Sequence, residues 1–256
     1  MMFGQLILWG CIILEAGLLV RGLLTKLAFR YPVFYCYISF VLLQSLLRFF
    51  VRLHYPNFYP WAYWITELLG VVVGSVVVFE IYKIGLAAFP GTAKMARRVL
   101  YVLFVLAITK VAVDTWIAPN WHRMGTTGEL ELGLRAVQAI SIVALITLFM
   151  VYSIRFGRNL KGILLGYGIF VSLRLLVLVF AGADTGWQGW LSRVLPPINS
   201  IAYFAVLLVW LSQLWSYQEN PVQGESAKLE QGYQRMSAAT RQKLRDARGY
   251  LGKAVR

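Results

Sequence analysis

The residues of this sequence with chemistry to offer are ionisable side chains standing where apolar ones are expected. In the stretch LFVLAITKVAVDTWIAP, residues 103–119, Lys110 and Asp114 lie four apart and so on one face of a helix. Comparable residues interrupt other apolar stretches: Arg48, Glu67, Arg135 with Gln138, Arg174 and Asn199. A charge at bilayer depth costs about 2.5–3.5 kcal/mol on insertion scales, so such groups are retained where they pair with one another or with a ligand. Four of the charged residues are cations and two are anions, a formal excess of +2 that a purely structural network would tend to neutralise. Three readings are open. One is a network of buried pairs whose arginines snorkel to the headgroups. Another is an outward-open cavity for a small carboxylate- or phosphate-bearing anion. There Arg174 would make a bidentate contact, Lys110 would act as a point charge, and Glu67 and Asp114 would orient the cations. The third is a proton or ion pathway.

These residues must be positioned by membrane helices. The 256-residue chain is 59% hydrophobic and 14% charged, against about 45–50% apolar and about 25% charged in a soluble domain. Apolar runs long enough to cross about 30 Å of hydrocarbon predict seven spans, at 4–20, 32–53, 61–82, 99–118, 132–154, 162–183 and 195–215. Runs such as LLGVVVGSVVVF lack the alternation of a barrel strand, and a helix satisfies its backbone within the segment. The expected fold is an all-α, seven-helix transmembrane domain over 1–217, followed by a basic cytoplasmic tail over 218–256. At a rise of 1.5 Å per residue, the polar residues from six spans fall about 5–12 Å below the outer ends of those spans, in one layer.

Charge fixes the orientation. Arg21, Lys26 and Arg30 follow the first run, and KIGLAAFPGTAKMARR and RFGRNLK are basic. The alternate connections HYPNFYP, NWHRMGTTGELE and GADTGWQGWLSR are poor in Lys and Arg, and the second of them holds Glu129 and Glu131. The positive-inside rule then puts the N-terminus outside and the C-terminus in the cytoplasm of a plasma or bacterial inner membrane. Trp61, Trp64, Trp116, Trp121, Trp187 and Trp190 gather at the outer ends, as an interfacial belt would.

The tail carries eight Lys or Arg and four acids, with a weak apolar stripe through Leu229, Tyr233, Met236, Leu244 and Leu251. It suits an interfacial helix on anionic lipid, or a loosely ordered solubilising segment. The net charge of +14 is spread over inner loops and tail, so anionic headgroups account for it and nucleic-acid binding is not implied. Gly70 with Gly74 and Gly162 with Gly166 predict close helix packing, or a homodimer face.

Known membrane chemistries find no footing. Cys11 and Cys36 fall inside spans and read as packing thiols, while His54 and His122 have no partner at ligand spacing. A retinal Schiff base needs a lysine in the last span, and LPPINSIAYFAVLLVWLSQLW has none. No span offers a serine–histidine pair, a pair of aspartates or a zinc-binding histidine pair for intramembrane proteolysis, nor an aspartate-rich motif for magnesium diphosphate. Glu15 and Glu80 read as partners of Lys83 or of the basic inner loops. The sequence therefore predicts a non-enzymatic ligand-binding or sensor-like module without cofactor or metal, acting through a protein partner. A small transporter or a subunit of a membrane complex is the alternative.

Overall fold

The computed structural model describes residues 2–87, 89–117, 123–151, 157–182 and 188–218, together with Arg235, Met236, Thr240 and Gln242. Among them the regular elements are helices, with no strand. In chain order these are α1 (Met2–Leu24), the short α2 (Leu27–Arg30), α3 (Pro32–His54), a 3-10 turn (Pro56–Phe58), α4 (Tyr59–Gly85), α5 (Pro90–Ile117), α6 (Arg123–Val151), α7 (Arg158–Gly182) and α8 (Gln188–Gln213). Among the described residues five segments are long and apolar enough to cross a membrane: Gln5–Leu24, Pro32–His54, Pro56–Gly85, Glu131–Met150 and Arg158–Phe180. The other two expected spans, 99–118 in α5 and 195–215 in α8, fall partly on residues whose side chains lie outside the described set, and the described apolar part of α8 is Pro197–Gln213.

Proline sets several helix starts. Pro32 and Pro90 open α3 and α5, where the missing N–H has no intrahelical acceptor to lose. Lys26, at φ 58°, is the one non-glycine residue with positive φ among those described, and it turns the chain between α1 and α2. The helices outrun the apolar runs that predicted them. α5 begins nine residues before the expected span, and α6 starts at Arg123, so that GTTGELE, expected as part of a loop, is helical.

Six of the long helices close a ring: α1 packs on α3, α3 on α4, α4 on α6, α6 on α7, α7 on α8, and α8 back on α1. α4 also meets α7 across the ring, and α5 lies outside it against α4 and α6. The interior is filled by Leu18, Phe34, Ile38, Ile81, Leu145, Ile163, Tyr167 and Trp210, with Phe34 edge-on to Trp210 at 5.1 Å. The glycines let these helices approach. A Cβ at Gly162 or Gly166 would collide with Gln213 or Trp210 of α8, and one at Gly74 with the Tyr167 hydroxyl of α7. Large apolar side chains cover the outside, including Leu24, Phe29, Leu43, Tyr101 and Met150, each at least 65% exposed. Such a surface suits lipid as solvent and would drive association in water.

Candidate functional site

α4 is the helix that touches α3, α6 and α7, and Glu67 stands on it where one arginine from each can arrive. Glu67 Oε2 accepts from Arg48 Nη2 at 3.0 Å. Glu67 Oε1 accepts from Arg135 Nη2 at 2.8 Å and from Arg174 Nη2 at 3.2 Å. A second carboxylate completes the set. Glu131 Oε1 accepts from the Nε of Arg135 at 2.8 Å and from the Nε of Arg174 at 3.0 Å. Arg135 and Arg174 therefore each bridge both carboxylates, using two different nitrogens of the guanidinium fork. A lysine ammonium cannot reproduce that geometry.

Neutral groups finish the coordination. Arg48 donates from Nε to Thr66 Oγ1 at 2.8 Å and from Nη2 to the Tyr63 carbonyl at 2.9 Å, and its guanidinium lies 4.3 Å from the Tyr63 ring centroid. With its amide oxygen turned toward α3's own Arg48, Gln44 accepts from Nη1 at 3.0 Å. Arg174 Nη2 also reaches the Tyr63 hydroxyl at 3.4 Å, and the Arg135 guanidinium lies 5.5 Å from the Phe170 ring. The charged side chains are 2–19% exposed. At such burial an unpaired ion would cost several kcal/mol, which explains the density of contacts. One level further along α6, Gln138 donates to the Val71 carbonyl and to Ser75 Oγ, at 3.0 and 2.9 Å, and accepts from Tyr167 at 3.5 Å.

Of the residues expected at the site, Arg48, Glu67, Arg135 and Arg174 come together. Lys110 is exposed on α5, the helix outside the ring, and Asn199 is half-buried on α8. The side chain of Asp114 lies outside the described residues. Glu131 was expected in an outer loop and is instead a buried member of the cluster, 2% exposed. The signal for it was present, because Glu131 precedes Arg135 by four residues, the favourable order for a helical ion pair. Among the described residues, with Glu131 in the cluster and Lys110 outside it, the balance is three cations on two carboxylates, one formal positive charge in excess. Among the described residues Glu131 Oε2, which is buried, accepts no hydrogen bond. Among those residues the cluster thus presents an excess of cationic donors and one acceptor oxygen without a donor.

Of the two acids read as partners of inner-loop cations, Glu80 is close enough to Lys83 for a favourable charge interaction, and both make further contacts. Glu80 accepts from the backbone N–H groups of Val33 and Phe34, at 2.9 and 2.8 Å, and so caps α3, whose first turn has no acceptor of its own. Glu15 is fully buried on α1 and accepts from the Tyr203 hydroxyl at 2.8 Å, while its Oε2 has no partner. Cys11 and Cys36 are free thiols. Away from the cluster, a shallow depression of about 480 Å³ lies over α5, lined by Lys94, Arg97, Arg98, Tyr101 and Val102.

No family model matches the chain, and neither a curated protein nor a solved structure is similar to it.

Proposed function

We propose that the chain is a seven-span protein of a plasma or bacterial inner membrane, N-terminus outside and C-terminus cytoplasmic. In this reading it is a non-enzymatic, sensor-like module that binds a small organic anion in the outer half of its helix ring. α5 and α8 complete the seven crossings, each relying on its neighbours to shelter what is polar in it. The single observation that carries the anion reading is the unequal charge count: among the described residues three guanidinium groups converge on two carboxylates at low exposure. A carboxylate or phosphate entering beside Arg174 would neutralise the remainder, and a hydroxyl or ammonium on the same molecule would satisfy Glu131 Oε2. Signal would pass inward through α6 and α7, which carry the bridging arginines, to a protein partner at the basic inner loops.

The test uses the purified full-length protein in mild detergent, with a panel of mono- and dicarboxylates and organic phosphates. At least one anion should raise the thermal midpoint in a saturable way, and Arg174→Leu should abolish that rise while retaining a monodisperse, helical fold. No shift with any anion, or an equal shift in Arg174→Leu, would overturn the reading and leave a closed network of structural pairs.

A further inference from the structure

The exposed face of α5 combines two chemistries that do not usually share a soluble surface. Ala93, Leu100 and Phe104 turn toward the bundle and are buried, whereas Lys94, Arg97 and Arg98 are exposed at one end of the outward face. Directly along that face lie Tyr101, Val102, Val105 and Leu106, from 42% to 66% exposed. The depression of about 480 Å³ sits at the junction, lined by Lys94, Arg97 and Arg98 together with Tyr101 and Val102. Arg97 Nε is engaged with the Ala93 carbonyl at 3.3 Å, which leaves its terminal nitrogens as the outward donors.

We propose that this junction is a specific site for one anionic glycerophospholipid, its phosphate held by Lys94, Arg97 and Arg98 and an acyl chain lying along Tyr101, Val102 and Leu106. Charge complementarity fixes the headgroup: three cations within two helical turns suit a phosphate diester that lacks a compensating ammonium. The apolar continuation of the same face separates a lipid from a free phosphate, because a soluble anion would leave Tyr101 and Val102 without a partner. Hydrophobic length adds a reason for the site. Between Arg98 and Lys110 lie only eleven residues, about 16 Å of helix, roughly half of a bilayer's hydrocarbon. A headgroup drawn down to Arg98 shortens that mismatch locally.

The site is separate from the arginine–glutamate cluster, so it stands whether or not an anion binds there. The experiment takes the full chain, delipidated in mild detergent, and titrates it with phosphatidylglycerol, phosphatidylcholine or inorganic phosphate while native mass spectrometry counts adducts. Phosphatidylglycerol should fill one site at least tenfold more tightly than phosphatidylcholine. Lys94→Gln, Arg97→Gln and Arg98→Gln combined should remove that preference. The tail variant Arg241→Gln, Lys243→Gln, Arg245→Gln should keep it. Equal binding of the two lipids, a preference that survives the α5 triple variant, or displacement by millimolar phosphate alone would overturn the assignment.

Discussion

Glu67 is the residue on which the charge arrangement turns, since it receives one arginine from each of α3, α6 and α7. Removing its charge leaves Arg135 and Arg174 on Glu131 and, among the described residues, leaves Arg48 without a carboxylate. Glu67→Gln should therefore cost about 3–5 kcal/mol, the range for breaking a buried pair while its partners remain, measured by reversible denaturation in mixed micelles. A loss below about 1 kcal/mol would mean that the cluster is open to water, as exposed pairs are. Glu15 provides the contrast. Its contact among the described residues is a tyrosine hydroxyl, with no cation bonded to it, and a carboxylate so placed is far more costly than a neutral carboxylic acid. Glu15→Gln, which keeps the shape and the acceptor, should leave the thermal midpoint nearly unchanged, whereas Glu15→Leu strands the Tyr203 hydroxyl and should cost about 1–3 kcal/mol. A large loss in Glu15→Gln would show that the carboxyl is held ionised. Arg48, Glu67, Arg135 and Arg174 were legible in the sequence because each interrupts an apolar run. Glu131 had only its four-residue spacing to Arg135 to mark it, and that was outweighed by the polar, glycine-containing stretch before it, which looks like a loop until the helix is seen to continue through it.

At the level of the helices, small residues decide which faces meet. Gly166 leaves room for the indole of Trp210, itself fully buried, and no comparable neighbour stands near Gly17 on α1. Gly166→Ala should therefore lower stability by about 1–3 kcal/mol through overpacking. Gly17→Ala should be neutral or raise stability by up to about 1 kcal/mol through helix propensity. Thermal melts of the two variants side by side check this, and similar losses in both would mean that α7 and α8 do not pack as described. Glycine spacing made these packing faces readable from sequence, but not their partners: that α7 meets α8 through Gly162 and Gly166, and α3 and α7 meet α4 through Gly70 and Gly74, follows only from the closed ring. Helix ends were read too short. The apolar run marks the part of a helix that lipid can tolerate, whereas the hydrogen-bonded turn continues into polar residues such as those of 90–98 in α5 and 123–130 in α6.

For the molecule as a whole, the orientation proposed from loop charge makes Thr126 external and Ser226 cytoplasmic. Single cysteines at these positions, in a background lacking Cys11 and Cys36, should label with impermeant maleimide from opposite sides of intact cells; labelling from one side would require an even number of crossings. The basic tail, most of which lies outside the described residues, carries a related expectation. A peptide of residues 228–256 should bind phosphatidylglycerol vesicles, and Arg241→Glu, Lys243→Glu and Arg245→Glu should weaken it at about 1 kcal/mol per lost cation. α5 adds a consequence for how the protein is made. Among the described residues it packs only on α4 and α6, one synthesised before it and one after, and its apolar core is short and ends in Lys110. In the proposed seven-span reading this segment carries a lysine and an aspartate within the membrane and partitions poorly by itself at the translocon. Its insertion would then wait at the lateral gate until α6 emerges. In a glycosylation-mapping assay, 90–117 alone should insert in a minority of chains, and the segment running from α4 through α6 in most of them. In the proposed seven-span reading the helix outside the ring is thus settled in the bilayer out of chain order, no earlier than the helix that follows it.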